Sequence, residues 1–208
     1  MTAQQLVCVV DDDEAARKSL SFLLSTSGFW ATAFESAQAF LDSRESDECS
    51  CLIADVRMPG MSGIELLKRV KARRPDLCVI IITGHGDVPL AVDAMKSGAA
   101  DFVEKPYDNE RLVQSINEAM AKEGDGGARG EAMDRYGRLS AREKEVMRSL
   151  VKGNPNKVIA FELGISARTV EIHRAHVMSK MQARSLADLV RMGIAIGPAL
   201  DEETAPSA

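Results

Sequence analysis

The chain has 208 residues, 45% of them hydrophobic and 27% charged, which suits one large or two small soluble globular domains. No apolar run approaches the roughly 20 residues that span a bilayer, and the amino terminus lacks the regions of a signal peptide. The four cysteines show neither a disulfide nor a zinc pattern, which favours buried or incidental thiols in a reducing compartment. We therefore expect a cytoplasmic protein without a membrane partner.

Charge is distributed unevenly along the chain. Residues 1–124 carry 20 acidic and 13 basic side chains, whereas residues 138–192 carry 5 acidic and 11 basic ones. Opposite net charges indicate two domains with different partners, and a basic domain is typical of nucleic-acid binding. Because four glycines fall within residues 123–130, we predict a flexible Gly-rich linker over residues 123–137.

Residues 1–122 alternate short apolar runs with amphipathic segments. The apolar runs predict strands at 6–10, 30–34, 51–54, 78–82 and 101–103. The amphipathic segments predict helices at 14–27, 36–43, 63–74, 87–97 and 108–122. Strict alternation with short connections favours a flavodoxin-like, doubly wound α/β fold, with a five-stranded parallel sheet between two layers of helices.

Acidic side chains follow two of the predicted strands. Asp11, Asp12 and Asp13 come after the first strand, and Asp55 comes after the third. Because functional groups gather beyond the carboxyl ends of parallel strands, these carboxylates would repel one another unless a cation lay among them. Mg²⁺ suits such oxygens and leaves coordination positions for phosphate. A carboxylate beside it, Asp55, can act as a nucleophile and form an aspartyl phosphate.

Two further strands end in groups that suit a phosphoryl group, the hydroxyl of Thr83 and the ammonium of Lys105. The oxygens of a transferred phosphoryl group are stabilised by positive charge and hydrogen-bond donors. Either residue alone is more simply interpreted as a strand-end threonine or a solvated lysine. Together with Asp12 and Asp55, they predict a phosphoryl-acceptor site.

Four motifs stand in the order and spacing of a receiver domain: Val-Val-Asp-Asp-Asp, Asp-Val-Arg-Met-Pro-Gly-Met-Ser-Gly, Ile-Thr-Gly-His-Gly-Asp and Glu-Lys-Pro-Tyr. Residues 1–122 therefore resemble the receiver domain of two-component response regulators, and the resemblance implies that Asp55 is the phosphoacceptor. The Mg²⁺ ligands that it implies are Asp11, Asp12, Asp55 and the backbone carbonyl of Arg57. The switch and phosphoryl-contact residues that it implies are Thr83, Phe102 and Lys105.

Phosphorylation is expected to change one face of this domain, because it adds about 1.5–2 negative charges and three acceptor oxygens. Thr83 would move inward to bond one oxygen, and Phe102 would rotate from an exposed to a buried rotamer. We predict a homodimer through the face formed by residues 87–97 and 101–104. Its candidate contacts are Leu90, Ala91, Met95 and Asp101. The alternative for Leu90 and Met95 is that they pack the helix on the sheet.

Residues 138–196 have a wholly helical pattern, and residues 197–208 are predicted to be a flexible tail. Ser140 and Glu143 form a capping box at the first helix. Ala160, the turn residue Gly164 and the cap Ser166 are spaced as in a helix-turn-helix, with an ordinary helical hairpin as the alternative. The second helix of this unit is expected at residues 167–182, and a last helix at about 185–192.

This region resembles the four-helix output domain of the LuxR/NarL group, and both domains together resemble FixJ-type regulators. The run Arg-Thr-Val-Glu-Ile-His-Arg-Ala carries much of the likeness. The resemblance implies that one face of the 167–182 helix enters the DNA major groove. The candidate base-reading residues are Arg168, Glu171, Ile172 and Ala175. The candidate phosphate contacts are Lys157, Ser166, Thr169 and Arg174.

These features predict a DNA-binding response regulator rather than an enzyme. Its expected partners are a sensor histidine kinase, promoter DNA, RNA polymerase and a second copy of the chain. FixJ-type proteins control nitrogen fixation or respiration in response to oxygen, so such genes are candidate targets. One alternative is a Mg-dependent aspartyl-phosphate phosphotransferase or phosphatase, but such enzymes usually carry the nucleophile after the first strand. The other alternative, regulation by protein contact without DNA, is disfavoured by the basic helix-turn-helix.

Overall fold

The structure is a computed structural model that describes residues 5–84, 88–121 and 128–200. The chain forms two compact units. Residues 88–96 belong to the second unit together with residues 128–200, and the other described residues form the first unit. No helix within the described part of the chain is long and apolar enough to cross a membrane.

A five-stranded parallel sheet with strand order β2-β1-β3-β4-β5 forms the centre of the first unit. The strands are β1 (Leu6–Val10), β2 (Trp30–Phe34), β3 (Cys51–Asp55), β4 (Cys78–Thr83) and β5 (Asp101–Glu104). Strands β3 and β4 are buried along their whole length, as expected for apolar strands covered on both faces. The predicted doubly wound fold is confirmed.

All but one of the described helices of the first unit begin at a capping side chain. The helices are α1 (Glu14–Thr26), α2 (Ala37–Leu41), α3 (Glu45–Glu48), α4 (Gly63–Arg73) and, after α5 (Val88–Lys96), α6 (Asn109–Met120). Asp13 accepts hydrogen bonds from the first turn of α1, and Ser62 forms a capping box with Glu65 at α4. Helix α3 was not predicted, because it has four residues, no buried side chain and no side-chain cap.

Within the residues that the structure describes, the regular elements of the second unit are all helices. Beyond α5 it contains α7 (Ala128–Gly137), α8 (Ala141–Lys152), α9 (Asn156–Leu163), α10 (Ala167–Met181), α11 (Leu186–Ile196) and one 3₁₀ turn at Gly197–Leu200. Gly164 ends α9 with a left-handed φ of 63°, which a glycine adopts without strain. The predicted helix-turn-helix therefore corresponds to α9, this turn and α10.

Helix α7 corrects the prediction of a linker over residues 123–137. Residues 122–127 lie outside the described residues, but Ala128–Gly137 is helical despite two glycines. Ala132, Tyr136 and Leu139 recur at helical spacing and are buried, and α7 packs against α10 and α11. Burial of these apolar side chains stabilises the helix and offsets the low helix propensity of its glycines. The predicted tail also begins later than residue 197, because Leu200 is buried.

Helix α5 groups with the second unit, although residues 1–122 were predicted to form one domain. It packs against α8 and α11. Its buried residues are Val88, Ala91, Val92, Ala94 and Met95. These buried residues extend around more of α5 than a single narrow stripe along one face. A helix with such a pattern is buried on more than one side.

Candidate functional site

The carboxyl ends of β1, β3 and β5 bring three charged side chains together. The Nζ atom of Lys105 lies 2.8 Å from Oδ2 of Asp11 and 2.8 Å from Oδ1 of Asp55. Both carboxylates are buried, and the lysine side chain is mostly buried. Three of the residues predicted from strand ends therefore form one site.

Asp55 ends β3 at a sharp turn that the backbone stabilises. The N–H of Arg57 donates to Oδ2 of Asp55 with an N···O distance of 2.6 Å. Gly63, the first residue of α4, packs so closely that a Cβ atom there would overlap the backbone carbonyl of Asp55. Only glycine permits this approach, a role that the sequence analysis missed. The signal was the last glycine of the motif that follows Asp55.

The three acidic residues after β1 have different surroundings. Asp11 is buried, and its Oδ1 accepts a hydrogen bond from the N–H of Asp13 at 2.9 Å. Arg17 donates to the backbone carbonyl of Asp11 at 2.7 Å. Asp13 caps α1, whereas Asp12 is exposed. Among the described residues, no three His, Cys, Asp or Glu side chains are placed to hold one metal ion. The structure thus brings together Asp11 and Asp55 but not Asp12.

The electrostatics of this site are unbalanced, because two carboxyl groups share one ammonium. Burial by itself would lower the pKa of Lys105, but its hydrogen bonds to Asp11 and Asp55 outweigh burial and raise that pKa. The lysine therefore stays charged at neutral pH. An excess of carboxylate over ammonium favours the entry of a further cation.

The predicted switch residues lie beside this cluster on β4 and β5. Thr83 is fully buried, and its backbone carbonyl accepts a hydrogen bond from the N–H of Lys105 at 2.7 Å. Phe102 is buried in β5, and the peptide bond between Lys105 and Pro106 is cis. The Thr83 and Phe102 switch, and the Arg57 carbonyl as a metal ligand, stay predictions.

The residues predicted for dimerisation are mostly buried. Ala91 and Met95 are buried in α5, and Leu90 is half-buried. Asp101 is buried in β5 and accepts a hydrogen bond from Oγ of Ser115 at 2.7 Å. These four side chains would have to become accessible before a second copy could contact them, so their role in dimerisation stays a prediction.

Helix α10 separates a buried face from an exposed one. Val170, Val177 and Met181 are fully buried. The candidate base-reading residues, all of them exposed, are Arg168, Glu171, Ile172 and Ala175. Because they share the exposed face of one helix, they are available to enter a groove of DNA together.

The candidate phosphate contacts lie on α9 and α10, with Lys157 in the first turn of α9, Ser166 and Thr169 at the start of α10, and Arg174 further along α10. Lys157 and Ser166 are exposed, and Thr169 and Arg174 are partly exposed. The Oγ atom of Ser166 accepts a hydrogen bond from the N–H of Thr169 at 3.0 Å, so Ser166 caps the helix. This N-terminal turn, with its partial positive charge, suits a phosphate oxygen.

An ion pair between a buried glutamate, Glu143, and an exposed lysine, Lys180, connects α8 to α10. Glu143 is 4% exposed, and it accepts hydrogen bonds from the N–H of Ser140 at 2.7 Å and from Nζ of Lys180 at 2.6 Å. Burial opposes ionisation, but these hydrogen bonds outweigh it and lower the pKa of Glu143 to about 2. The capping box was predictable, whereas Lys180 was missed, because only the crossing of two helices brings it to Glu143.

Comparison with known families agrees with this arrangement. Residues 7–117 match the response regulator receiver domain. Residues 138–193 match the bacterial regulatory proteins of the luxR family. The first match contains Asp11, Asp55 and Lys105, and the second contains α8 to α10.

Individual relatives match almost the whole chain. This chain is 49% identical over 205 residues to the transcriptional regulatory protein FixJ of Azorhizobium caulinodans, and the match covers 97% of each chain. It is 50% identical over 202 residues to FixJ of Bradyrhizobium diazoefficiens, covering 95% of this chain and 98% of that one. The crystal structure of full-length FixJ from B. japonicum matches with 49% identity and a TM-score of 0.54, covering 93% of this chain and 98% of that one.

Proposed function

Because the chain belongs to the FixJ-like response regulators, we propose that a sensor histidine kinase phosphorylates Asp55 to control promoter binding. The members of this family are DNA-binding transcription regulators with a receiver domain and a LuxR-type domain. The observation that carries this proposal is the 2.8 Å contact of Lys105 with both Asp11 and Asp55. The relatives are transcriptional regulators, so the alternative of an aspartyl-phosphate enzyme is not favoured.

Asp55 supplies the nucleophile in the proposed transfer. A carboxylate oxygen of Asp55 forms a bond to phosphorus while the bond from phosphorus to the histidine nitrogen of the kinase breaks, and its electron pair stays on that nitrogen. Lys105 and the N–H of Arg57 already contact the two oxygens of Asp55, so they are placed to stabilise the phosphoryl oxygens. Asp55 is 9% exposed and Asp11 only 2%, which favours Asp55 as the acceptor.

Mg²⁺ is the proposed cofactor. Asp11 and Asp55 present buried oxygens to the same ammonium, and Mg²⁺ is commonly held by one or two carboxylates together with phosphate oxygens. The bound ion would neutralise charge on the transferred group. Asp12, exposed beside Asp11, and the carbonyl of Arg57 are the further proposed ligands.

The proposed switch begins with the buried hydroxyl of Thr83, which would bond a phosphoryl oxygen and be accompanied by rearrangement of Phe102. The proposed rotation of Phe102, from an exposed to a buried rotamer, ends in a buried position, which is where Phe102 lies in this structure. Dimerisation through the predicted contacts and recruitment of RNA polymerase would follow in the cytoplasm. A ligand must favour one state by a few kcal/mol to shift such an equilibrium.

The exposed face of α10 is the proposed DNA-reading surface. A helix in the major groove reads base edges with a few side chains, and the exposed residues of α10 supply a guanidinium, a carboxylate and two apolar groups. Lys157 and the Ser166 turn would bind phosphates and orient the helix. Genes for oxygen-responsive nitrogen fixation or respiration are the proposed targets, since FixJ relatives match over nearly the whole chain.

The acceptor assignment can be tested with the full-length protein, radiolabelled acetyl phosphate and Mg²⁺. Asp55→Asn keeps the side-chain shape but removes the nucleophile, so labelling should be lost completely. Asp13→Asn is the matched control, because asparagine also caps helices and Asp13 does not contact Lys105 in the site described above. Label that survives on Asp55→Asn would contradict the assignment.

The DNA-binding step needs a separate measurement at stated salt, since affinity for DNA depends on salt. Random DNA fragments are selected with the wild-type protein after acetyl phosphate treatment, and binding of the enriched fragments is then compared with untreated protein. We expect treatment to tighten binding by the wild-type protein and to leave Asp55→Asn unchanged. Equal binding by treated and untreated wild-type protein would contradict control by phosphorylation.

A further inference from the structure

The four cysteines of the chain are all free and buried in the first unit. Cys51 and Cys78 are the first residues of β3 and β4, whereas Asp55 and Thr83 are the last residues of the same two strands. The thiols therefore lie at the opposite end of these strands from the phosphoryl site, and no role described above uses them.

Cys51 and Cys78 are placed to form a bond. They are register partners in neighbouring parallel strands. Such strands lie about 4.7–4.9 Å apart, which falls within the Cα separation of about 4.4–6.8 Å usual for disulfides. Both side chains point into the same core cluster as Ile53 and Ile80, and their sulfur atoms are 3.0 Å apart. To form a disulfide, the two sulfurs would approach from 3.0 Å to about 2.05 Å.

The other two cysteines are oriented differently. Val7 and Val9 belong to the core cluster that contains Cys51, so Cys8 between them points to the opposite face of the sheet. Cys49 donates a hydrogen bond to the backbone carbonyl of Cys51 at 3.0 Å and also contacts the thiol of Cys8. Cys51 is therefore paired with Cys78 rather than with its sequence neighbour Cys49.

The surroundings of the pair distinguish a nucleophile from its partner. Lys71 donates to the backbone carbonyl of Leu77 at 2.7 Å, which places an ammonium beside the residue that precedes Cys78. The hydrogen bond with Cys78, together with burial, raises the pKa of Cys51 well above its ordinary value. Cys51 is fully buried, whereas Cys78 is 7% exposed. Cys78 is the less completely buried residue of the pair, so we assign the first reaction with an oxidant to it.

We propose that Cys51 and Cys78 are a redox site that forms an intramolecular disulfide when the protein encounters a peroxide. The Cys78 thiolate attacks one peroxide oxygen, the O–O bond breaks, and a sulfenic acid forms at Cys78 with release of hydroxide. The sulfur of Cys51 then attacks that of Cys78 and displaces a second hydroxide. The protons of the two thiols convert both hydroxides to water, so two thiols are oxidised and one peroxide is reduced. The bond ties the strand of Asp55 to the strand of Thr83.

The test uses the reduced full-length protein, hydrogen peroxide at a dose that oxidises glutathione in a parallel tube, and alkylation in denaturant followed by peptide mass spectrometry. We expect two of the four cysteines to escape alkylation, a peptide cross-linked through Cys51 and Cys78, and a protein lighter by two hydrogen atoms. Dithiothreitol should restore all four alkylation sites. Circular dichroism before and after treatment checks that the fold persists.

Matched variants identify the pair. Cys51→Ala and Cys78→Ala should each abolish the cross-link, whereas Cys8→Ala, an equally buried cysteine, should retain it. The wild-type measurement decides the matter even if a variant fails to fold. Four alkylated cysteines after peroxide, a bond between Cys8 and Cys49, a bond between two copies on a non-reducing gel, or sulfinic acid without a cross-link would each overturn the proposal.

Discussion

Each unit of the molecule contains a cluster of a lysine with buried carboxylate, and the two clusters differ in their balance of charge. In the second unit, Glu143 is matched by Lys180 and by the backbone of Ser140. In the first unit, Asp11 and Asp55 compete for Lys105. Since Nζ of Lys105 lies 2.8 Å from one oxygen of each carboxylate, these two oxygens are no more than twice that distance apart. The first cluster is therefore short of positive charge, and the second is satisfied.

The difference indicates what each cluster does. Removing either partner of the satisfied pair lowers the stability of the folded protein, since the other charge is left without its partner. The pair therefore holds α8 and α10 in place. A cluster with surplus carboxylate gains from a further cation or from a change of charge at one carboxylate, so it suits a site that binds a metal and is modified. The excess of negative charge distinguishes the reactive cluster from the structural one more clearly than the burial of their carboxylates does.

The largest expected contrast is in the effect of removing one carboxylate from each cluster. Glu143→Gln should lower the stability of α8 and α10 by about 1.5–3 kcal/mol, because it removes a hydrogen-bonded charge beside Lys180. Asp55→Asn should leave β3 and β4 at least as stable as before, because it relieves like-charge repulsion. Native-state hydrogen exchange of the named elements measures both changes in the full-length protein.

A control for this contrast is Glu145→Gln, since Glu145 pairs with Arg142 on the surface of the same helix. Surface pairs contribute about 0–1 kcal/mol, so this variant should change the exchange rates of α8 little. If Asp55→Asn destabilised its strands as much as Glu143→Gln destabilises α8, the two clusters would not differ in the way we infer.

Much of this comparison could be predicted from local sequence, and some of it could not. Asp11, Asp55 and Lys105 were expected at one edge because parallel strands place their carboxyl ends there, whereas their separate roles were implied by the resemblance to receiver domains. Lys180 was missed because its contact with Glu143 depends on the crossing of α8 and α10. Helix α7 was missed because its glycines hid the helical spacing of Ala132 and Tyr136.

A second, smaller expected effect is a pH dependence of the stability that Glu143 contributes in the satisfied cluster. The pKa of Glu143 is about 2 in the folded protein, below the ordinary glutamate value of about 4.3. Because the pKa of Glu143 is lower in the folded state than in the unfolded state, its ionised carboxylate stabilises the folded protein at pH values above the unfolded pKa. This stabilisation is lost as the pH falls toward about 2. The stability difference between wild type and Glu143→Gln should therefore be largest above about pH 5 and shrink as pH falls. Urea titrations across this range measure it, and a difference that grew on acidification would contradict the ion pair.

The smallest expected effect on stability concerns the DNA-reading face, where charges are neither buried nor short of partners. Arg168 and Glu171 form an ion pair of 2.9 Å, with side chains 81% and 51% exposed. A pair so exposed is weak, so Glu171→Ala should barely change folding. Glu171 can therefore leave Arg168 at little cost and accept a hydrogen bond from cytosine N4 in the major groove.

If Glu171 reads a base, Glu171→Ala should relax preference at one base pair, near the lower end of about 1–3 kcal/mol. Lys157→Ala, as a phosphate contact, should instead weaken all sequences alike and reduce the salt slope by about one. Both variants are measured against single-base changes of the selected DNA at several salt concentrations. Uniformly tighter binding by Glu171→Ala, with unchanged preference, would mean that the carboxylate only repels phosphate or pairs with Arg168. The surface would then read bases without it, through Arg168 and the apolar contacts of Ile172 and Ala175.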